Sequence, residues 1–391
     1  MKRPRKRDTG LAHDGSHPEE HFGLVSPPVY HASTVAFPTV AAQKKARETK
    51  GSFTYGRHGS PTSFAFEEAV CKLEGGNRTL AVGSGLAAIV GAMLAFVKQG
   101  DNVLVCDSAY RPTRNLCENF LKRFGVTTTY YDPLIDGAQI AQMIRPETKA
   151  IYAESPGSHT FEVQDIPAIC EAAHKRGVKV IMDNTWSAGV FFRPFDHGVD
   201  VSVHAATKYF VGHSDAMLGT ITGGSAETSD KLYESISQLG YNVAPDDAYL
   251  GLRGMRTLAV RTKRHEKNAL KVAEWFAKQP EIETVLHPAF DSCPGHNFWK
   301  RDFTGSSGLF SVVFKKASPK AIEALVDRLE LFGLGGSWGG FESLVLPTSV
   351  ARSAVPFAGD GRCVRFHVGL ENPDDLTEDL ADGLRAFNAA L

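Results

Sequence analysis

From about residue 64 onward, short apolar runs alternate with segments whose apolar residues recur at helical spacing. A helical run closes at "LEGGNR", where Gly75 and Gly76 supply the stop. The runs "TLAV" (79–82), "NVLVC" (102–106), "VTTTYY" (126–131), "AIYAE" (150–154), "VKVIMD" (178–183), "DVSVHAA" (200–206) and "GTIT" (219–222) predict strands. Helices are predicted between them, over "GLAAIVGAMLAFV", Arg111 to Phe124, Ile135 to Ile144 and Asp165 to Arg176. Strand–helix alternation of this kind argues for an α/β domain, with a mostly parallel sheet covered on both faces. Residues 1 to 60 are rich in Pro, His and Gly, show little periodicity and predict an extended arm. Residues 61–245 then form the large α/β domain. A long Arg-rich helix from about Pro245 to Ala277 leads out of it. The remainder of 246–391 carries fewer strands, such as "GLFSVVF" and "VRFHVGL", and predicts a smaller α+β domain.

Composition narrows the function. The chain has 391 residues, long enough for two or three domains and a large core. Lys plus Arg is 43 and Asp plus Glu is 44, so no global field favours nucleic acid or an anionic membrane. No apolar run approaches the ~20 residues of a membrane span. The basic start "MKRPRKR" is not followed by an apolar stretch and reads as a frayed tail rather than a secretory signal. Six scattered cysteines contain no C-x-x-C pair, which removes the usual support for zinc or dithiol chemistry and fits a reducing, cytoplasmic compartment.

Several residues stand at predicted strand ends, where open α/β sheets bind ligands. Asp183 closes one strand and Lys208 follows another, 25 positions later. A turn aspartate and a loop lysine are the commoner roles for each taken singly. Together, in that order, they match a pyridoxal phosphate site, where a lysine makes the imine and an acid holds the pyridine nitrogen protonated. "VGSGLAA" (82–88) joins a strand to a helix, and its glycines and helix N-terminus suit a phosphate. The same pattern, with Asp107 ending the next strand, also fits a dinucleotide site of an NAD-dependent dehydrogenase. That alternative leaves Asp183 and Lys208 unexplained. Tyr110, beyond a strand end, can stack on a flat ring. Tyr55 and Arg57 lie in the polar stretch "TYGRHGSPT", and arginine suits a phosphate. Arg365 interrupts an apolar strand, and a buried charge there calls for a partner such as a substrate carboxylate. Histidines 204, 213 and 367 have no metal spacing and read as structural or as supports behind site residues. The G-x-S-x-G elbow of a serine hydrolase is absent.

The segments "YGRHGSPT", "LEGGNRTLAVGSGLAAI", "ESPGSHTFEV", "DNTWSAGV", "ATKYFVGHSDAMLGT", "LRGMRTLAVR", "FWKRDFTGSSGLFS", "SWGGFESL" and "RFHVGLE" occur in this order. In them the chain resembles the Cys/Met-metabolism family of pyridoxal-phosphate enzymes. The resemblance implies the aspartate-aminotransferase-like fold (fold type I) and pyridoxal 5'-phosphate as cofactor. It implies Lys208 as imine-forming lysine and proton carrier, with Tyr110 and Tyr55 as further catalytic candidates. Asp183 resembles the partner of the pyridine nitrogen, and Gly85, Leu86 and Thr207 resemble phosphate ligands. Tyr55 and Arg57 resemble residues that reach a neighbouring subunit's phosphate, which implies a dimer usually paired into a tetramer. Arg365, helped by Ser337, resembles the clamp on the substrate α-carboxylate. Many relatives carry Ser where this chain has Ala205, which removes one phosphate hydroxyl. γ-Acting relatives typically read "SLGG" where this chain has Trp338, so the resemblance favours a carbon–sulfur lyase that cleaves at Cβ of L-cystathionine or a related thioether. γ-Lyase and γ-synthase activities remain the alternatives.

Overall fold

The structure, a computed structural model, describes residues 5–49 and 51–391. The first four residues of the basic tail lie outside the described residues. Two short helices, α1 (Arg7–His13) and α2 (Val40–Glu48), fall in the segment expected to be extended. α1 is held from outside: Arg256 Nη1 donates to the carbonyls of Leu11 and Asp14, both at 2.8 Å. A seven-residue helix is marginal alone, so its sequence carries little periodic signal.

The chain then builds α3 (Pro61–Glu74), β1 (Arg78–Val82), α4 (Gly85–Leu94), β2 (Asn102–Cys106), α5 (Arg111–Asn115), β3 (Thr127–Tyr131), α6 (Gly137–Met143), β4 (Thr148–Glu154), α7 (Ile166–His174), β5 (Lys179–Asp183), β6 (Val201–His204) and β7 (Gly219–Gly223). These strands form one sheet in the order β1-β7-β6-β5-β4-β2-β3. β7 alone runs against its neighbours. The reason lies in its connection: no helix joins β6 to β7, so the chain turns back on itself through residues 205–218 and returns antiparallel. The turn therefore lies on the carboxyl edge of the sheet, and it carries Lys208. The strands β2, β5, β6 and β7 are buried on both faces, which explains the continuous apolar runs of β2 and β5.

After α8 (Ala226–Leu239), the stretch expected as one long helix is two, α9 (Pro245–Met255) and α10 (Leu258–Phe276). At the break the Gly254 carbonyl accepts from Thr257 N–H at 3.1 Å and from the Arg261 guanidinium at 2.8 Å instead of continuing the helical ladder. The turn aims Arg256 at α1 and Arg261 at the Tyr209 carbonyl, 2.8 Å away. Such tertiary capture of backbone carbonyls leaves no Pro or Gly–Pro mark in a sequence.

The remaining elements are β8 (Ile282–Leu286), α11 (His296–Asp302), β9 (Leu309–Phe314), α12 (Pro319–Arg328), β10 (Gly333–Leu334), β11 (Leu344–Pro347), β12 (Cys363–His367) and α13 (Pro373–Ala390). They include a second sheet, ordered β10-β11-β12-β9-β8 and antiparallel except for β10 with β11. Its apolar face packs on α10, α12 and α13 through residues such as Phe276, Phe310, Leu325 and Phe387. The two sheets meet at the carboxyl edge of the first. Trp186 Nε1 donates to the Leu309 carbonyl at 3.0 Å, and Gly308 N–H donates to the Tyr209 hydroxyl at 2.9 Å.

Candidate active site

A cavity of about 540 Å3 opens where the two sheets meet. Its floor is the row of strand ends. β1 leads into the turn before α4, β2 into Tyr110, β4 into Glu154, β5 into Asp183 and β6 into Lys208. The second sheet closes the other side with Ser337, Trp338 and Arg365.

Ser84 caps α4 by accepting from Ala87 N–H at 3.1 Å. The N–H groups of Gly85 and Leu86 have no carbonyl of their own helix to donate to and stand at the positive end of its dipole. A Cβ at Gly85 would lie 2.6 Å from Ala205 Cβ, so only glycine lets α4 start against the 205–208 turn. Helix end and turn make one cradle suited to an anion. Thr207 stands beside it, with its hydroxyl engaged by the backbone of Leu218.

Asp183 lies at the centre of the floor. One carboxylate oxygen accepts from Thr185 N–H at 3.0 Å and Thr185 Oγ1 at 2.5 Å, and the other from the Tyr152 hydroxyl at 3.3 Å. Burial pushes its pKa up, while the Thr185 bonds act against that rise. A cation opposite the carboxylate would complete its environment. Its neighbour in register, Glu154, is partly exposed at the cavity floor and has no cation beside it; desolvation and the Asp183 charge hold its pKa well above the usual carboxylate range. Glu154 Oε2 accepts from Tyr110 N–H at 2.7 Å and so fixes the start of α5.

Lys208 Nζ donates to Ser337 Oγ at 2.6 Å and lies 5.6 Å from the Trp338 ring centroid. Burial, reinforced by the Arg365 charge and partly offset by Asp183, lowers its pKa to about 8. Arg365 is buried and finds no carboxylate. Its Nη2 donates to three carbonyls, those of Gly335, Gly336 and Ser337, at 3.3, 3.3 and 2.9 Å. Burial lowers its pKa to about 10. Three neutral acceptors on a buried guanidinium leave the charge unbalanced, which suits an anionic ligand.

The structure thus brings Gly85, Leu86, Tyr110, Asp183, Thr207, Lys208, Ser337, Trp338 and Arg365 around one cavity. Tyr55 and Arg57 lie outside it. Tyr55 is 45% exposed, and Arg57 Nη1 donates to the Ser237 carbonyl at 2.7 Å. Asp107 does not face the cavity as the acid of a dinucleotide site would. It is buried, paired with Arg114 at 2.8 Å, and accepts from the N–H groups of Ser353, Ala354 and Val355. Of the three histidines read as structural, His204 pairs with buried Glu74 at 2.7 Å and His213 bonds the Val211 carbonyl. His367 supports the Trp338 loop. Among the described residues no group of His, Cys, Asp and Glu could hold a metal ion, and no helix is long and apolar enough to cross a membrane. The six cysteines are free.

Sequence reasoning did not single out Glu154, Thr185, Trp186 or His159, all of which line the cavity. Glu154 ends a predicted strand as Asp183 does, and that position was a usable signal. His159 gives none, because its place depends on a backbone turn with φ of 66°.

A family model described as "Cys/Met metabolism PLP-dependent enzyme" matches residues 8–385. Cystathionine beta-lyase MetC of Escherichia coli (strain K12) is 44% identical over 391 residues, covering 97% of this chain and 98% of that protein. Cystathionine beta-lyase of Salmonella typhimurium is 43% identical over 389 residues, covering 97% and 98%. Among solved structures, that of metB from Corynebacterium glutamicum superposes with a TM-score of 0.90 at 30% identity, covering 97% of this chain and 98% of the other.

Proposed function

The chain belongs to the Cys/Met-metabolism PLP-dependent enzymes, and we propose that within this family it cleaves L-cystathionine at Cβ, releasing homocysteine and a three-carbon fragment that one water hydrolyses to pyruvate and ammonia. Pyridoxal phosphate, when bound, supplies an electron sink for the pair left at the substrate Cα. The observation that carries the reading is the convergence of Lys208, Asp183 and Arg365 on one cavity, in a chain 43–44% identical to two proteins named cystathionine beta-lyase.

The residues present fit that cofactor. The cradle of Gly85 and Leu86 N–H groups, with Thr207 beside it, would hold the phosphate. Asp183 would hold positive charge at the ring nitrogen, and Tyr110 would stack on the ring. Arg365 would exchange its three carbonyl partners for the substrate α-carboxylate, with Ser337 as a second donor. Lys208, with its pKa lowered to about 8, has roughly a tenth of its amine neutral at pH 7, far more than an ordinary lysine. Its Nζ takes the proton from Cα and supplies one to the departing sulfur. The Tyr110 hydroxyl, its pKa raised by burial and by Glu154, stays protonated.

Tyr55 and Arg57, outside their own cavity, would complete the cavity of a second copy, so the active unit is a dimer and the assembly a dimer of dimers. The setting of this reading is cytoplasmic, with homocysteine going on to methionine.

Product analysis tests it. The cofactor-loaded protein incubated with L-cystathionine should release pyruvate and homocysteine. 2-Oxobutyrate with cysteine would replace the Cβ assignment by γ-cleavage and remove Trp338 as its marker.

A further inference from the structure

β12 presents Arg365 and His367, two positions apart and therefore on one face of the strand, to the same segment, residues 335–340. Arg365 holds its first half by the carbonyls of 335, 336 and 337. His367 holds its second half through Nε2, which either accepts from Gly339 N–H or, in the other tautomer, donates to the Gly340 carbonyl, both 3.1 Å away. The segment carries Ser337, the partner of Lys208, and Trp338. It also lies directly on the lysine. A Cβ at Gly339, where φ is 86°, would come within 3.0 Å of the Lys208 backbone.

The two grips differ in one respect. Arg365 lines the cavity and His367 does not; His367 is fully buried among Tyr209, His265 and β9. On the reading that Arg365 receives the substrate α-carboxylate, its bonds to 335–337 weaken when substrate arrives. The bond between His367 Nε2 and the 339–340 backbone is untouched by that exchange.

We propose that His367 is a positioning residue, the substrate-independent anchor that keeps Ser337 and Trp338 over Lys208 while Arg365 changes partners. This inference rests on the proposed role of Arg365 only for its substrate-bound half. The imidazole is suited to the task because it offers the segment a hydrogen-bonding ring nitrogen without a charge; burial first, then His265, Arg365 and Lys208 nearby, disfavours a second proton on it.

The test compares cofactor-loaded wild type, His367→Leu and His367→Gln. Glutamine places an acceptor oxygen near the position of Nε2, and leucine places none. Amide hydrogen exchange at residues 337–340 should be about tenfold faster in the leucine variant, the scale of one lost hydrogen bond, and kcat should fall by a similar factor. Glutamine should restore most of both. L-Alanine, which has the α-carboxylate but no group to lose from Cβ, should speed exchange further in the leucine variant and not in wild type. Equal behaviour of the leucine and glutamine variants, or unchanged exchange at 337–340, would overturn the proposal. If the leucine variant does not fold, His367→Asn takes its place, since its oxygen falls near Nδ1 and misses Gly339. If L-alanine binds none of the proteins, the role of Arg365 falls, while the ligand-free contrast between variants still decides that of His367.

Discussion

At the scale of single residues, Lys208 combines a 2.6 Å bond to Ser337 with a pKa lowered to about 8 from an ordinary 10.5. Between those two values the folded, cofactor-free protein binds fewer protons than the unfolded chain, so stability rises with pH across that window. Below about pH 8 the burial penalty of the ammonium is fully present, and above about 10.5 it is gone. The cofactor-free Lys208→Met variant should therefore be more stable than wild type below pH 8, with the advantage fading toward 10.5; chemical denaturation at several pH values measures this. Lys208→Ala should abolish turnover of L-cystathionine, and near-normal activity would remove the lysine from the chemistry. Glu154 is the converse case, an acid whose pKa burial and the Asp183 charge hold well above the usual carboxylate range. Glu154→Gln should change stability at pH 7 by no more than about 0.5 kcal/mol, whereas Glu154→Ala, which strands Tyr110 N–H, should cost about 1–3 kcal/mol in thermal or urea unfolding. Lys208 and Asp183 were legible because charged residues at the ends of apolar strands stand out. Glu154 obeys the same rule but was absorbed into a strand, and nothing local marks an acid whose pKa its surroundings will raise.

Among elements, α4 shows how a cofactor cradle is made from ordinary parts: a serine cap, a glycine first residue and a turn packed against it. Gly85→Ala would force the helix start away from Ala205, and we expect the purified variant to lose most of its bound pyridoxal phosphate, read from its visible absorbance, while its circular dichroism stays close to wild type. Strands and helices of the first sheet were readable because burial on both faces writes long apolar runs. α1 and the α9–α10 break were not. Both depend on arginine side chains, Arg256 and Arg261, reaching carbonyls far along the chain, as with Arg256 and Leu11. Periodicity reports which face of a segment is buried, and it is silent about such remote captures.

Over the whole molecule, the two sheets are clasped by the segment between β11 and β12. Asp107, at the end of β2, gathers the N–H groups of Ser353, Ala354 and Val355, and Arg352 of the same segment bonds Glu162 and Thr160 at 2.6 Å each. Asp107→Ala leaves the buried Arg114 only the half-exposed Glu118, 3.3 Å away, and strands the N–H groups of Ser353, Ala354 and Val355, so unfolding by urea should show a loss of about 3 kcal/mol. This clasp secures the floor of the cavity and leaves its mouth alone. Leu86 and Met217 line the mouth with their side chains 41% and 58% exposed. Leu86 contributes its backbone N–H to the cradle, whereas the Met217 sulfur accepts a weak bond from Thr207 Oγ1 at 3.9 Å. On the proposed function, variation at the exposed Leu86 side chain would alter the entrance and spare Lys208 and Asp183, and a laboratory library confined to that position should yield altered substrate preference at a high frequency of folded, cofactor-binding clones.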